Sequence, residues 1–319
     1  MWLGVCSYDS KTSYPSVARF VEHVQLKDLA PRTVESYVNI VRQLGAWADG
    51  DPALLAEERV RGFILHLKLE RGWSSKSLRQ ARASLTAFYA GMLGHGEWRV
   101  FGEVKTKDVL KLPSVLTREE VRAVLGAVRE PRFRVPLRLI YECGLRLGEG
   151  LRVEVADIHR ERLRLHVHLA KGGKDRMVPL SPLMVEELTW WWRQHRNARF
   201  LFPAIGNNVK SARRVGAVAH GACLAERMKA AQTPLSESAL QQAFRVAHRE
   251  SGVKTRATIH TLRHSYATHL LEEGVNIRYV SQYLGHATLE QTLVYTHLTA
   301  VSEAQTQAAL VRMSEQARR

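Results

Sequence analysis

The spacing of apolar residues divides this chain into helices and one hairpin. Val34, Tyr37, Val38, Val41 and Leu44 follow a helical stripe behind Pro31, a residue suited to a helix's first turn. Val60, Phe63, Ile64 and Leu67 make a second helix, and Leu78, Leu85, Phe88, Tyr89 and Met92 a third, with Arg71 to Ser77 as the polar break between them. The pattern predicts a small all-helical module over residues 1–93, loose at its start. From Gly94 to Pro113 the periodicity is lost among glycines and alternating charges, so a linker is placed at 94–114. A second domain then spans 115–319. It opens on Thr117 and Glu120, a capping box for a helix carrying Val121, Val124, Leu125 and Val128. Ser236 caps a later helix whose buried stripe is Leu240, Ala243, Phe244 and Ala247.

One stretch switches to a period of two. Leu163, Leu165, Val167 and Leu169 alternate with Arg162, Arg164, His166 and His168, as in a half-buried strand. The turn AKGGKDR and the run MVPL return the chain as a hairpin. The fold class is therefore mainly α with a small antiparallel β-sheet in the second domain. A lysine and glycines in a hairpin, as at Lys171 and Lys174, are by themselves ordinary turn chemistry.

Charge changes the picture more than composition does. Lys and Arg total 47 against 31 Asp and Glu, a formal net charge of +16. So basic a chain binds a polyanion by releasing counterions, and nucleic acid is the expected partner. With 45% hydrophobic and 8% aromatic residues, the 319-residue chain has the apolar content for two packed cores. Cys6, Cys143 and Cys223 are odd in number and widely spaced, so neither a disulfide framework nor a zinc site is expected from them. The opening MWLGVCSYDS lacks the basic flank and apolar length of a secretory signal, and no apolar run reaches membrane-spanning length. The expected setting is cytoplasmic and nucleoid-associated, with no membrane partner.

The chemistry is concentrated near the C-terminus, in HTLRHSYATHLLEEG, NIRYVSQYLGH and ATLEQTLVYTHL. His260 and Arg263 are spaced i, i+3 and share a helix face, apart from the stripe of Leu262, Tyr266 and Leu270. Gly285 stops the pattern of Ile277, Val280 and Leu284, leaving His286 just past a helix end. Thr288 and Gln291 are expected to form a capping box for a last short helix, whose apolar residues Leu289 and Leu293 leave Tyr295 on a different angular sector, open to a cleft. Singly, each of these residues is more often packing or surface. Together they suit a phosphodiester, since arginine forks phosphate oxygens, histidine moves protons near neutral pH and tyrosine can attack phosphorus.

The runs H-T-L-R-H, L-G-H and V-Y-T-H-L resemble, in order and spacing, those of the tyrosine recombinase or phage integrase family, in particular bacterial members of the integron-integrase or chromosome-dimer-recombinase kind. The resemblance implies a catalytic set of Arg146, Glu149, Lys171, His260, Arg263, His286 and Tyr295, the first two from ECGLRLGEGL. It implies that Tyr295 attacks the scissile phosphate, giving a 3′-phosphotyrosyl link and a free 5′-hydroxyl. Arg146 and Arg263 would neutralise phosphate oxygens, His260 help remove the tyrosine proton, His286 hold the phosphate or orient the tyrosine, Lys171 protonate the leaving oxygen and Glu149 brace the site. No cofactor and no metal are expected, and the ATP-binding pattern G-x-x-x-x-G-K-[ST] is absent. APRTVESY and SLRQARASLTAFY resemble the family's DNA-clamping domain, so a two-domain clamp is expected, with Arg32, Arg71, Lys76, Arg79, Arg82 and the hairpin's Lys174 against DNA phosphates.

The implied partners are double-stranded recombination sites, with a homo-tetramer on two of them and a monomer or weak oligomer when free. Near 204–233 a basic insertion, with Lys210, Arg213, Arg214, Arg227 and Lys229, departs from the family pattern; it is either a tolerated surface insertion or an added contact. A tail helix near 300–319, with Val301, Ala304, Ala308, Ala309 and Leu310, packs on a neighbouring protomer or on its own domain. The function implied is site-specific DNA integration or excision, of the kind associated with mobile elements. A type IB topoisomerase-like activity or a catalytically silent DNA-binding factor are the other readings.

Overall fold

The computed structural model describes residues 14–103, 113–170, 174–205, 223–296 and 302–317. The chain divides into two compact units, Met1–Leu110 and Lys111–Arg319. The first is helical: α1 (Pro15–Gln25), α2 (Pro31–Ala48), α3 (Glu57–Leu65), α4 (Ser75–Phe88) and the short α5 (Val100–Glu103). Proline opens both α1 and α2, where its missing N–H costs no helical bond. Val41, Leu44, Phe63, Leu85 and Phe88 close one core, as the stripes predict, and Phe20 and Val24 of α1 join it from the stretch expected to be loose. The polar break before α4 is shorter than expected, because the Ser74 hydroxyl accepts the Ser77 N–H and starts the helix at Ser75. Within the stretch read as linker, Val100 is buried in this core, with Trp98 and Phe101 packed against it.

The second unit wraps helices around a three-stranded antiparallel sheet, order β1-β2-β3: Ile158–His159, Arg164–Ala170 and Lys174–Pro179. It begins with α6 (Arg118–Gly126), α7 (Pro131–Cys143) and the five-residue α8 (Leu147–Leu151). After the sheet come α9 (Pro182–His195), α10 (Leu224–Lys229), α11 (Glu237–Glu250), α12 (Ile259–Glu272), α13 (Ile277–Leu284), α14 (Glu290–Leu293) and α15 (Ser302–Ala317). Val124, Leu137, Ile140, Leu165, Val178, Leu240, Phe244 and Leu262 form its core. A smaller cluster of Tyr266, Ala267, Val280, Leu284 and Tyr295 joins α12 and α13 to the tyrosine. Among the described residues no helix is long and apolar enough to cross a membrane.

The β2 pattern holds, with Leu165 and Val167 buried, but the strand starts only at Arg164. Leu163 sits at φ +50°, in the left-handed region of a turn. The return strand starts earlier than MVPL suggests, at Lys174, so Lys174 and Arg176 belong to the strand and not to the turn. Of the 204–233 stretch, Lys210, Arg213 and Arg214 lie outside the described residues. Its far end is anchored: α10 buries Met228, and the Asn197 amide donates to the Met228 and Ala231 carbonyls at 2.8 and 3.0 Å. The cap expected at Thr288 and Gln291 does not form. Leu289 is the N-cap of α14 and offers no side-chain bond, while Leu289 and Leu293 are exposed and Tyr295 is the buried residue instead.

The box at the start of α6 is complete, the Thr117 hydroxyl accepting the Glu120 N–H at 3.2 Å and the Glu120 carboxylate the Thr117 N–H at 2.9 Å. Thr117→Ala should therefore cost about 1 kcal/mol of stability. Urea unfolding should show a lower midpoint with unchanged slope; an unshifted midpoint would mean that the cap contributes nothing.

Candidate active site

Two helices end on glycine at the site, each in the left-handed region: Gly144 after α7 at φ +59° and Gly285 after α13 at φ +62°. Space as well as backbone requires glycine at Gly144, where a Cβ would stand 2.4 Å from the Tyr266 ring. The carbonyls at these helix ends, where the dipole is negative, receive arginines. Arg263 of α12, 2% exposed, donates from Nη1 to the Gly144 carbonyl at 2.7 Å and from Nη2 to the Leu284 carbonyl at 2.6 Å. Arg176 of β3 donates from Nε to the Tyr283 carbonyl at 2.7 Å.

Glu149 gathers the guanidiniums. Its carboxylate accepts the backbone N–H of Arg146 at 2.9 Å, which starts α8, and Arg146 Nη1 at 2.7 Å. It also takes both terminal nitrogens of Arg176 at 2.7 and 3.2 Å and lies 3.8 Å from Arg263 Nη1. Burial alone would raise the Glu149 pKa; the bonds and charge of Arg176, joined by the bonds from Arg146, outweigh it and hold the carboxyl at about 2. Burial, and then the Arg146 charge, lowers Arg263 to about 10, so it stays a cation at neutral pH. Three cations around one anion leave the centre positive.

The Tyr295 hydroxyl sits inside this unit, 2.8 Å from His264 Nδ1, with the residue 4% exposed. Burial raises its pKa, against the opposing charges of Arg263 and Arg146. The His286 ring stacks toward the tyrosine at 6.3 Å between centroids and 14° between planes, and its Nδ1 is 2.7 Å from the Thr292 hydroxyl. His260 is exposed and meets His264 edge-on at 4.4 Å. Burial first, then His260 and Arg263, lowers His264 to about 4. Burial first, then Arg263 and Arg146, does the same for His286. Both rings are neutral at pH 7, and a neutral imidazole can accept a proton from the phenol.

A phenol beside a neutral imidazole, set against clustered guanidiniums, is built for attack on a phosphorus centre, and the sequence comparisons place it in a family. Residues 114–301 match the phage integrase family, and residues 17–96 match the phage integrase N-terminal SAM-like domain. The chain belongs to the phage integrase family of tyrosine recombinases. It is 32% identical over 312 residues to tyrosine recombinase XerD of Pseudomonas aeruginosa, covering 91% of this chain and 94% of that one. Against tyrosine recombinase XerA of Thermococcus kodakarensis it is 30% identical over 303 residues, covering 92% and 95%. A lambda integrase dimer bound to a COC′ core site shares the fold at TM-score 0.65 and 17% identity, covering 88% of this chain and 75% of that one. So does XerH bound to a palindromic difH substrate, at TM-score 0.61 and 18% identity, covering 92% and 84%.

In this tyrosine recombinase Arg146, Glu149, Arg263, His286 and Tyr295 come together, with His260 at the exposed end of the histidine pair. Lys171 lies outside the described residues, and Lys174 is the first residue of β3. Arg32, Arg71, Lys76 and Arg79 are exposed in the helical unit and Arg82 is half-buried. Two participants escaped the sequence reading. Arg176 had a signal, a charge on the apolar face of a strand, alternating with Val178. His264 had one too, four residues after His260 and so on the same helix face. Among the described residues one group of metal-ligating side chains lies close together, Asp157, His166 and His168, and it includes none of the residues that the resemblance implies as catalytic.

The neutral histidines have a pH consequence. Where the folded pKa is about 4 and the ordinary value 6.5, the unfolded chain binds more protons between them. Stability contributed by neutral His286 is thus full above pH 6.5 and lost as pH falls toward 4. His286→Asn should take up about one proton fewer on unfolding in that window, giving a shallower decline of stability from pH 7 to pH 5. A slope equal to the wild type's would show that His286 titrates normally.

Proposed function

We propose that this chain is a site-specific recombinase that cuts and rejoins double-stranded DNA through a 3′-phosphotyrosyl intermediate, in integration or excision of a mobile element. The observation that carries the reading is the 2.8 Å contact between the Tyr295 hydroxyl and a neutral His264, beside guanidiniums held by Glu149. In the reaction the Tyr295 oxygen bonds to the scissile phosphorus as the bond to the 5′-oxygen breaks. The phenolic proton passes to His264, with His260 next to it toward solvent, and Lys171 protonates the departing 5′-oxygen. Arg146, with 29% of its side chain accessible, meets the non-bridging oxygens first. Arg263 and Tyr295 are satisfied inside the protein, so binding DNA must open the site to the scissile phosphate while the tyrosine keeps its histidine until the proton has passed.

The helical unit supplies the rest of the grip, through Arg32, Arg71, Lys76, Arg79 and Arg82, with Lys174 touching phosphate from the hairpin. The tail is read as a link between protomers in a tetramer on two sites, because α15 leaves Leu310, Val311 and Met313 exposed. Free of DNA the chain is a monomer or weak oligomer in the cytoplasm.

Tyr295→Phe should abolish the covalent protein–DNA adduct on a nicked site and leave DNA affinity within about twofold, since it removes one hydroxyl and no charge. Adduct persisting in that variant would refute the assignment, and exchange between two sites separates a recombinase from a topoisomerase. Lys171→Ala should cleave an ordinary phosphodiester very slowly, yet recover on DNA with a bridging 5′-sulfur, because a thiolate leaves without an acid. Rescue of Lys174→Ala instead would move the acid to Lys174.

A further inference from the structure

On the face of the hairpin turned away from the core, a second group of side chains converges. Because β2 buries Leu165 and Val167, the residues that alternate with them, His166 and His168, share the opposite face. The pairing runs Val167 to Arg176 and then Ala170 to Lys174, three steps on β2 against two on β3. His168 and Leu169 therefore stand opposite Asp175 alone, a bulge of the kind that re-aims a side chain. Asp157 reaches the same place from the turn before β1. One of its oxygens accepts the Glu154 N–H at 2.8 Å, and the other lies 2.6 Å from His168 Nε2. From β3, one oxygen of Asp175 stands 3.1 Å from His166 Nε2 and 3.4 Å from His168 Nδ1. The two imidazole centroids are 4.0 Å apart.

We propose that Asp157, His166 and His168 bind one zinc ion, with Asp175 in reach as a fourth ligand. Ligand atoms of the first three all lie within 4.8 Å of one another. A tetrahedral zinc with bonds of about 2.0–2.2 Å needs them about 3.3–3.5 Å apart, so side-chain rotations on the order of an ångström complete the shell. Two imidazoles with carboxylates are a zinc-type donor set, whereas magnesium and calcium select oxygen. A plain ion pair accounts for His168 between two aspartates. His166 is brought to the same Asp175 oxygen, so two imidazoles and two carboxylates from three segments lie together. A dication bound among them would neutralise the carboxylates. It also ties three segments together, the turn before β1 and both strands of the hairpin, at a site apart from the arginine cluster.

The test uses the untagged full chain, stripped with a chelator and titrated calorimetrically with zinc chloride. The expected result is one equivalent bound with a Kd in the micromolar range or tighter, a Tm that rises with zinc, and, with cobalt(II) as the probe, the visible absorption of a four-coordinate site. The double variant His166→Gln, His168→Gln should lose binding by about a hundredfold or more and keep its far-UV circular dichroism, since neither ring is in a core. Should the pair fold poorly, each single variant carries the same expectation. No stoichiometric binding to the wild type, unchanged binding by the variants, or loss of binding on His260→Gln instead would each overturn the site.

Discussion

The second unit depends on one carboxylate. Among the described residues Glu149 is the only anion bonded to Arg146 and Arg176 at the centre, and it stands beside the Arg263 guanidinium as well. Three partly desolvated guanidiniums would repel one another without it, and the carboxylate in turn would be costly to bury without them. Because the charges do not cancel, the excess is positive. That excess is what an incoming phosphate would complete, so the same arrangement that holds α8, β3 and α12 in register also sets the electrostatics of the site.

The remaining guanidinium protons go to helix ends. Gly144 and Leu284 supply carbonyls where α7 and α13 stop, and the left-handed turns at Gly144 and Gly285 leave those acceptors uncapped by further helix. A buried arginine held by two carbonyls and facing a carboxylate is fixed in position, at the expense of being closed to solvent. Tyr295 is closed in the same way, packed with Tyr266, Val280 and Leu284 and bonded to His264. The site is thus assembled and satisfied at once, with Arg146 the guanidinium most accessible.

The hairpin shows how one strand period serves two tasks. Its inward residues give Val167 and Val178 to the core and Arg176 to Glu149, while its outward residues bring His166, His168 and Asp175 together. The step in register lies between Val167 and Ala170, beyond the inward pair of Leu165 and Val167. A charged residue can sit on the inward face only because the carbonyl of Tyr283 and both oxygens of Glu149 meet all three of its nitrogens.

The stripes from Val34 to Leu44 and from Val121 to Val128, the caps at Thr117 and Ser236, the stop at Gly285 and the alternation through Leu165 and Val167 were all legible in the sequence. Each depends on neighbours a few residues apart, and periodicity records such neighbours directly. The family motifs also named Arg146, Glu149, Arg263, His286 and Tyr295, because spacing along the chain fixes which of them share a turn. Legibility ended where contacts are long-range. Nothing local says that Arg176 reaches Glu149 across 27 positions or that His264 meets Tyr295 across 31. Nor does local pattern say that Leu289 and Leu293 stay exposed while Tyr295 is buried. Those outcomes were decided by tertiary structure, because a buried charge or hydroxyl takes whichever partner packing brings within about 3 Å, and sequence distance does not enter that choice.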